Sequence, residues 1–336
     1  MTGMMRWVRV IGFCAAVLAL AGPAAALDKV RFGTNWVPEA EHGGHYQALA
    51  DGTYAKYGLE VEIVPGGPQV NNLLALLAGR LDFYMGGNMI QPLDAAAQDI
   101  PVVVVAAMFQ KDPACILSHP GVFDSWESLK EADLLLGKEA EATFFQWMVS
   151  EFGFKPEKVR PYTFNPGPFL ANKRAAQQGY VTSEPYAIET QGGFRPNVFL
   201  LADRGFDTYS TVIETRRDVV ARNPDLVRRF VEASVIGWYN YLYGDNAKAN
   251  ALIRRGNPDI TDAQIAFSIA KMKEYGIVDS GDALKFGIGA MTAERHKSFY
   301  DKMVKAGVLP AGIDIAKAYR LDFVGKGVGL ELRPKP

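Results

Sequence analysis

Short β-type runs at residues 29–32, 59–64, 81–85 and 101–108 alternate with helix-type stretches near 43–57, 69–78 and 88–98. Parallel strands can be joined only by a crossover, normally a helix, so this rhythm predicts βαβ units and a mainly parallel sheet. It returns at 133–136, 159–164, 180–182 and 198–201, with helices near 140–152 and 168–178. The fold class is therefore α/β, with two similar lobes.

The two halves align at an offset of one hundred residues, 59–87 on 159–187. Gly67 then falls on Gly167, Pro68 on Pro168, Ala75 on Ala175 and Gly79 on Gly179. Any two βαβ units share such punctuation, so the match does not require a duplication. In open α/β sheets ligands bind beyond the carboxyl ends of the strands. Those ends carry "GTNW", "PGGP", "YMGGN", "NPGP" and "TSEPY", which places a ligand in the cleft between lobes. The last third is helical: Asn223-Pro224 caps a helix reaching Gly244, and Thr261 and Thr292 open two more. No long linker separates the elements, so the lobes are joined by short crossings that suit a hinge.

Residues 1–26 have Arg6 and Arg9, an apolar run over 10–20 and then Ala24-Ala25-Ala26, the pattern of a secretory signal cleaved near Ala26. Its removal takes away two Arg and no acid, leaving 34 basic against 37 acidic residues. That balance, without a dense Lys/Arg patch, argues against a nucleic-acid partner. Cys14 leaves with the signal, so Cys115 has no intramolecular partner for a disulfide and reads as a buried small hydrophobe. The expectation is an exported chain of about 310 residues, enough for two cores.

The loop "GTNWVPEAEHGGHY" at 33–46 concentrates chemistry between a strand and a helix. His42 and His45, three apart and flanked by Glu39 and Glu41, could place two metal ligands on one helical face. The remaining histidines, His119 and His296, stand in unrelated contexts and HEXXH is absent, so no metal and no cofactor are expected. His42 reads instead as a residue ordering the loop through a hydrogen bond. No GxSxG, Walker or Rossmann sequence is present, and no catalytic residues are assigned. The glycine pairs at 66–67 and 86–87 could cradle an anion, but no Lys or Arg stands in those loops.

Aromatic and amide groups do converge. Trp36, Tyr46, Tyr84, Phe164, Tyr186 and Tyr209 fall at or near loop positions, beside Asn35, Asn88 and Glu184. A flat heterocycle could stack on an aromatic face, and a carboxylate such as Glu184 could accept two N–H bonds from an amino edge. Many of these aromatics could equally be core residues.

"NWVPEAEHGGHY", "ADGTYAKYGLEVEIVPGG", "LLALLAGRLDFYMGG" and "NPDLVRRFVEA" resemble the periplasmic solute-binding proteins of ABC importers. Within them the likeness is to the ThiY-like group, which binds pyrimidine precursors of thiamine and is related to eukaryotic thiamine-pyrimidine synthases. Trp36, Pro38, His42, Gly44 and Tyr46 meet the group's Trp-x-Pro-x-x-x-His-x-Gly-x-Tyr spacing. The resemblance implies a two-lobed, type II binding-protein fold, with 27–112 plus about 208–336 as one lobe and 113–207 as the other. It implies a periplasmic monomer, not an enzyme, that passes a small-molecule ligand to a permease and ATPase complex. Carried over by position, Asn35 and Trp36 would hold and stack the ring and Glu184 would bond its amino edge. Gly86, Gly87 and Asn88 would supply loop contacts, with His42, Tyr46, Tyr186 and Tyr209 nearby. The synthases' Cys-rich motif is missing, His45 stands where relatives carry an apolar residue, and "FNPGPF" departs from a small-residue loop. A thiamine-related aminopyrimidine is thus the first ligand expected, with a flavin, another aromatic, or a sulfonate or nitrate as alternatives. A metal-dependent synthase is the remaining one.

Overall fold

The computed structural model describes residues 26–67 and 70–335; the signal expected over 1–26 lies outside them except for Ala26. Strands β1 (Asp28–Gly33), β2 (Leu59–Val64), β3 (Phe83–Asn88) and β4 (Val102–Phe109) begin one sheet. Strands β5 (Ala114–Ser118), β6 (Asp133–Leu136), β7 (Val159–Pro161), β8 (Ala175–Tyr180) and β9 (Asn197–Leu200) form a second. The chain then returns through β10 (Ser210–Arg216) to complete the first. The orders are β2-β1-β3-β10-β4 and β7-β6-β8-β5-β9. In each, the strand entered from the other lobe, β10 or β5, runs antiparallel to both neighbours. The two-lobed α/β fold is as expected, with mixed sheets because of these two strands.

Lobe one packs α1 (Gly43–Ala50), α2 (Thr53–Lys56), α3 (Asn72–Leu77) and α4 (Ile90–Ala97) on its sheet. Lobe two has α5 (Lys138–Ala142), α6 (Phe144–Phe152), α7 (Gly167–Ala171) and α8 (Glu184–Gly192). After β10 come α9 (Arg217–Arg222), α10 (Pro224–Tyr243), α11 (Ala247–Gly256), α12 (Asp262–Glu274), α13 (Ala283–Phe286) and α14 (Ala293–Lys305). The Asn223, Thr261 and Thr292 side chains accept from Leu226, Gln264 and Arg295 N–H, so the three expected caps start α10, α12 and α14. Helix α10 is the spine of lobe one: Phe230 stacks on Phe83 at 4.1 Å between ring centres. A Cβ at Gly44 would lie 2.2 Å from the Trp238 ring, and one at Gly237 2.2 Å from Gly44 O, so glycine permits the α1–α10 approach. Strand β4 ends the sheet order yet is buried throughout, because Val104 N–H bonds Ala318 O and Ala107 N–H bonds Gly289 O along its free edge.

Several elements differ from the sequence reading. The stretch expected as a helix over 168–178 is α7 followed by β8, so the hundred-residue offset fails after the Gly-Pro turn. Ala and Gln favour helix, but Asn172 O accepts from Ala175 N–H in a turn, and pairing between β6 and β5 imposes the strand. Residues 180–182 accordingly lie at the end of a strand and beyond it. Strand β10 was not anticipated, although Thr211, Val212, Ile213 and Thr215 supply a β-branched run. Left-handed Gly52 divides 43–57 into α1 and α2, and Thr143 divides 140–152 into α5 and α6.

The chain crosses between sheets at 110–113 and 201–209, and Arg295 of α14 holds both crossings. Its Nε donates to Asp207 O at 2.8 Å, and its Nη2 donates to Gln110 O and to Thr208 O. Lys111 and Asp203, one from each crossing, pair at 2.9 Å.

Candidate functional site

The loop after β1 is set by its neighbours. Gly66 N–H donates to Trp36 O at 3.1 Å, and a Cβ at Gly66 would lie 2.4 Å from Thr34 O. Asn72 Nδ2 donates to Thr34 O at 2.8 Å, and the Thr34 hydroxyl donates to Trp36 O. The "PGG" loop thus braces the Trp36 loop through backbone contact; its Gly66 N–H is spent there rather than on an anion. The Trp36 ring faces Phe164 of the other lobe at 6.0 Å between centres, and Phe164 meets Tyr162 at 5.3 Å. Phe164 has a φ of 59° and is 62% exposed. A bulky side chain pays for that backbone region, and here it carries the ring into the cleft.

Three carboxyls, two of them shortly after Trp36 in sequence, raise one another's pKa across the lobes. Glu39 and Glu41 flank Ala40 in lobe one, and Glu184 opens α8 in lobe two. Burial, then the Glu41 and Glu184 charges, hold Glu39 well above the ordinary carboxylate range. Burial pushes Glu41 up to about 7 and also raises Glu184. Glu184 Oε2 accepts from Tyr180 N–H at 2.7 Å, so one oxygen expected to receive a ligand is already engaged. The Thr182 hydroxyl lies close enough to pull the Glu41 pKa down, yet neither Thr182 Oγ1 nor Glu41 Oε1 completes a well-formed hydrogen bond. Tyr180 feels burial first and then Asp112, Glu139, Glu39 and Glu184, all of which push its phenol up.

Burial keeps the two histidines of this loop uncharged at neutral pH. Burial lowers both His42 and His45 to about 3. His42 stands 3.7 Å from Glu39 and its Nδ1 has no partner, so the ordering hydrogen bond expected of it is not made. His45 is a core aromatic, 4.5 Å from the Phe32 ring and hydrogen-bonded through Nδ1 to the Tyr54 hydroxyl. Among the described residues no group of three His, Cys, Asp or Glu is arranged to hold a metal ion.

The other sequence-selected residues scatter. Gly86, Gly87 and Asn88 are not in a loop but end β3; Asn88 Oδ1 accepts from Ile90 N–H and its Nδ2 donates to Asp112. A Cβ at Gly86 would meet Glu214 Oε1 at 2.1 Å, while Gly87 faces open space. Tyr46 is buried in α1. Tyr186 packs against Phe267 at 5.5 Å. Tyr209 belongs to the second crossing, its hydroxyl on Asp282 at 2.5 Å and Arg295 over its ring. Asn35 is half-buried beside Trp36. Sequence reasoning did not select Thr182, Asp112 or Glu214, and gave Glu39 and Glu41 only as possible metal or catalytic groups. The "EAE" doublet beside Trp36 was the available signal for a carboxylate site; Glu214 had none, since its strand was missed.

The chain matches the NMT1/THI5-like family model over residues 39–249. It is 26% identical to a riboflavin-binding protein, RibY, of Chloroflexus aurantiacus, covering 93% of this chain and 91% of the relative. It is also 26% identical to the 4-amino-5-hydroxymethyl-2-methylpyrimidine phosphate synthase THI13 of Saccharomyces cerevisiae, over 66% and 69% of the two chains. Among solved structures it resembles the periplasmic aliphatic sulphonate binding protein SsuA of Escherichia coli, with a TM-score of 0.64, 15% identity and coverage of 87% and 91%. The family match spans more than half of the sequence and the solved neighbour has the two-lobed binding-protein fold, so this chain is a member of the NMT1/THI5-like family with a type II periplasmic binding-protein fold.

Proposed function

We propose that this protein is the solute-binding component of an ABC importer, acting outside the inner membrane as a monomer and capturing a small aromatic heterocycle by closure of its lobes. The observation that carries the reading is the Trp36–Phe164 pair, one ring from each lobe, together with buried carboxyls that also come from both lobes. Flat rings stack on such faces, and carboxylates accept N–H donors. A ligand that touches both lobes favours the closed state by its differential affinity, and the closed form is then what a permease would recognise. An aminopyrimidine offers both a ring and an N–H edge. Riboflavin offers a larger ring, and the RibY similarity supports it. A sulfonate or nitrate is disfavoured by the acidic surroundings.

A catalytic reading is carried by the similarity to the THI13 synthase. Against it stand histidines held neutral by burial and a Cys115 thiol pushed well up by burial. A thermal-shift series with 4-amino-5-hydroxymethyl-2-methylpyrimidine, riboflavin and an alkanesulfonate tests the proposal. A ligand at one hundred times its Kd should add about 2.7 kcal/mol of stability. A shift with the sulfonate alone, or turnover of any of these compounds, would overturn it.

A further inference from the structure

We propose a second ligand site, for a small phosphate dianion, on the outer flank of lobe one. A cavity of about 240 Å³ lies there between α9 and the segment 316–320. Val103, Val220 and Ala316 line it together with three cationic side chains, Arg217, Lys317 and Arg320. It is remote from the cleft. Ser210 pairs with Phe109 beside the crossings, whereas Thr215 and Arg216 pair with Val103 and Val102 at the other end of β4. At about 3.3 Å per residue, the strand from Val103 to Phe109 spans roughly 20 Å. The site therefore stands whatever the cleft captures.

The backbone brings these side chains together. Val104 N–H donates to Ala318 O and Arg320 N–H donates to Val104 O, so the segment 316–320 lies along the outer edge of β4. Arg217 directly follows β10, with its N–H fixed on Pro101 O at 2.9 Å, and its guanidinium reaches Lys317 O.

The charges are not matched one to one. Asp99 Oδ1 accepts from both Arg217 Nη1, at 3.1 Å, and Lys317 Nζ, at 3.3 Å, while Arg320 pairs with Asp322. Among the described residues these three cations thus share two carboxylates. The Asp99 side chain is 73% exposed, and ion pairs as open as this add little stability, so an incoming dianion displaces them at small cost.

A second observation singles out one edge of the Arg217 fork. Its Nε is buried and has no partner, and its Nη2 makes only a 3.5 Å contact with Lys317 O. Buried donors are normally satisfied. The Nε–Nη2 edge is a side of the guanidinium that takes an oxyanion by two parallel N–H bonds, and Nη1 alone is committed to Asp99. A tetrahedral dianion held on that edge has oxygens left for Lys317 and Arg320, and the valine walls limit it to a small group.

Isothermal titration of the mature chain with inorganic phosphate at pH 8, in about 50 mM NaCl to limit screening, tests the proposal. One equivalent should bind with a Kd below about 1 mM, and nitrate, a monoanion, at least about tenfold more weakly. Arg217→Gln should abolish binding. Lys317→Gln and Arg320→Gln, on exposed side chains, should each weaken it about tenfold with no change in fold. Trp36→Ala, in the cleft, should leave it unaltered. Phosphate also stabilises folded proteins by exclusion from their surface, so a raised melting temperature does not count as binding. No saturable binding, or binding that survives all three substitutions on this flank, would overturn the proposal. So would binding lost in Trp36→Ala and kept in Lys317→Gln, which would place the phosphate in the cleft.

Discussion

The two lobes share one strand order, but the jaws they present to the cleft are built differently. Lobe one's jaw is the Trp36 loop, pinned by Gly66 and Asn72 and backed by α1, whose Gly43 and Gly44 lie against Tyr241 and Trp238 of the long helix α10. Lobe two has no counterpart of α10. Its aromatic, Phe164, is exposed, sits in a left-handed backbone conformation and touches little besides Tyr162 and Trp36. The strands in the same position of each sheet differ too. In lobe two β5 buries Cys115, whose thiol donates to Gly179 O, whereas β10 buries Glu214 with Oε1 unpartnered. The jaw of lobe one is therefore braced from behind by core packing, whereas the aromatic of lobe two stands largely apart from the core.

The largest effect should come from Trp36→Ala, which removes the fixed half of the aromatic pair. We expect a loss of about 3–4 kcal/mol of ligand affinity with an almost unchanged melting temperature, read by titration and calorimetry on one sample. A large fall in melting temperature would break the comparison by making Trp36 part of the core. Next, Gly44→Ala drives a methyl into Trp238 and should cost about 2–3 kcal/mol of stability in denaturant unfolding. A tolerated substitution would mean that the α1–α10 contact does not set the jaw.

Glu214 gives a pH signature of intermediate size. Burial raises its pKa to about 8, so between the unfolded value and 8 the folded state keeps a proton that the unfolded state has lost. Stability then falls as pH rises. Below about 6.5 the neutral buried histidines contribute the opposite slope; from about pH 6.5 to about 8 roughly 2 kcal/mol should be lost through Glu214, on top of a loss of the same sign from Glu39 and Glu41. Glu214→Gln should make that slope shallower in thermal melts; an unchanged slope would assign all of it to Glu39 and Glu41. The smallest effect is Phe164→Ala. It should weaken binding about tenfold, near 1.4 kcal/mol, and leave unfolding unaffected. A loss equal to that of Trp36→Ala would show that the two jaws matter alike.

The sequence made the α/β class, the pair of lobes and the capped helices α10, α12 and α14 legible, because periodicity and caps are local signals. It misled at 168–178, where Ala and Gln residues favour a helix that pairing with β5 and β6 overrides. It was silent at β10, whose identity depends on lying between β3 and β4. Trp36 and Glu184 stood out in the sequence by their positions, a strand-to-helix loop and a helix start, which the structure keeps. The approach of Thr182 to Glu41 was not, because it exists only when the lobes meet. Tyr209 looked like a loop aromatic, and its hydrogen bond to Asp282 and its contact with Arg295 are long-range facts that no spacing announces.

The grip of Arg295 on both crossings has an architectural consequence. Gln110 O and Thr208 O accept from the same nitrogen, so lobe two leaves and rejoins lobe one at adjacent points. Seen from lobe one, the whole of lobe two is an insertion between two ends already held side by side. The gap left by excising it could be bridged by a linker of about two to four residues. A single guanidinium thus marks the seam at which one compact unit is set into another.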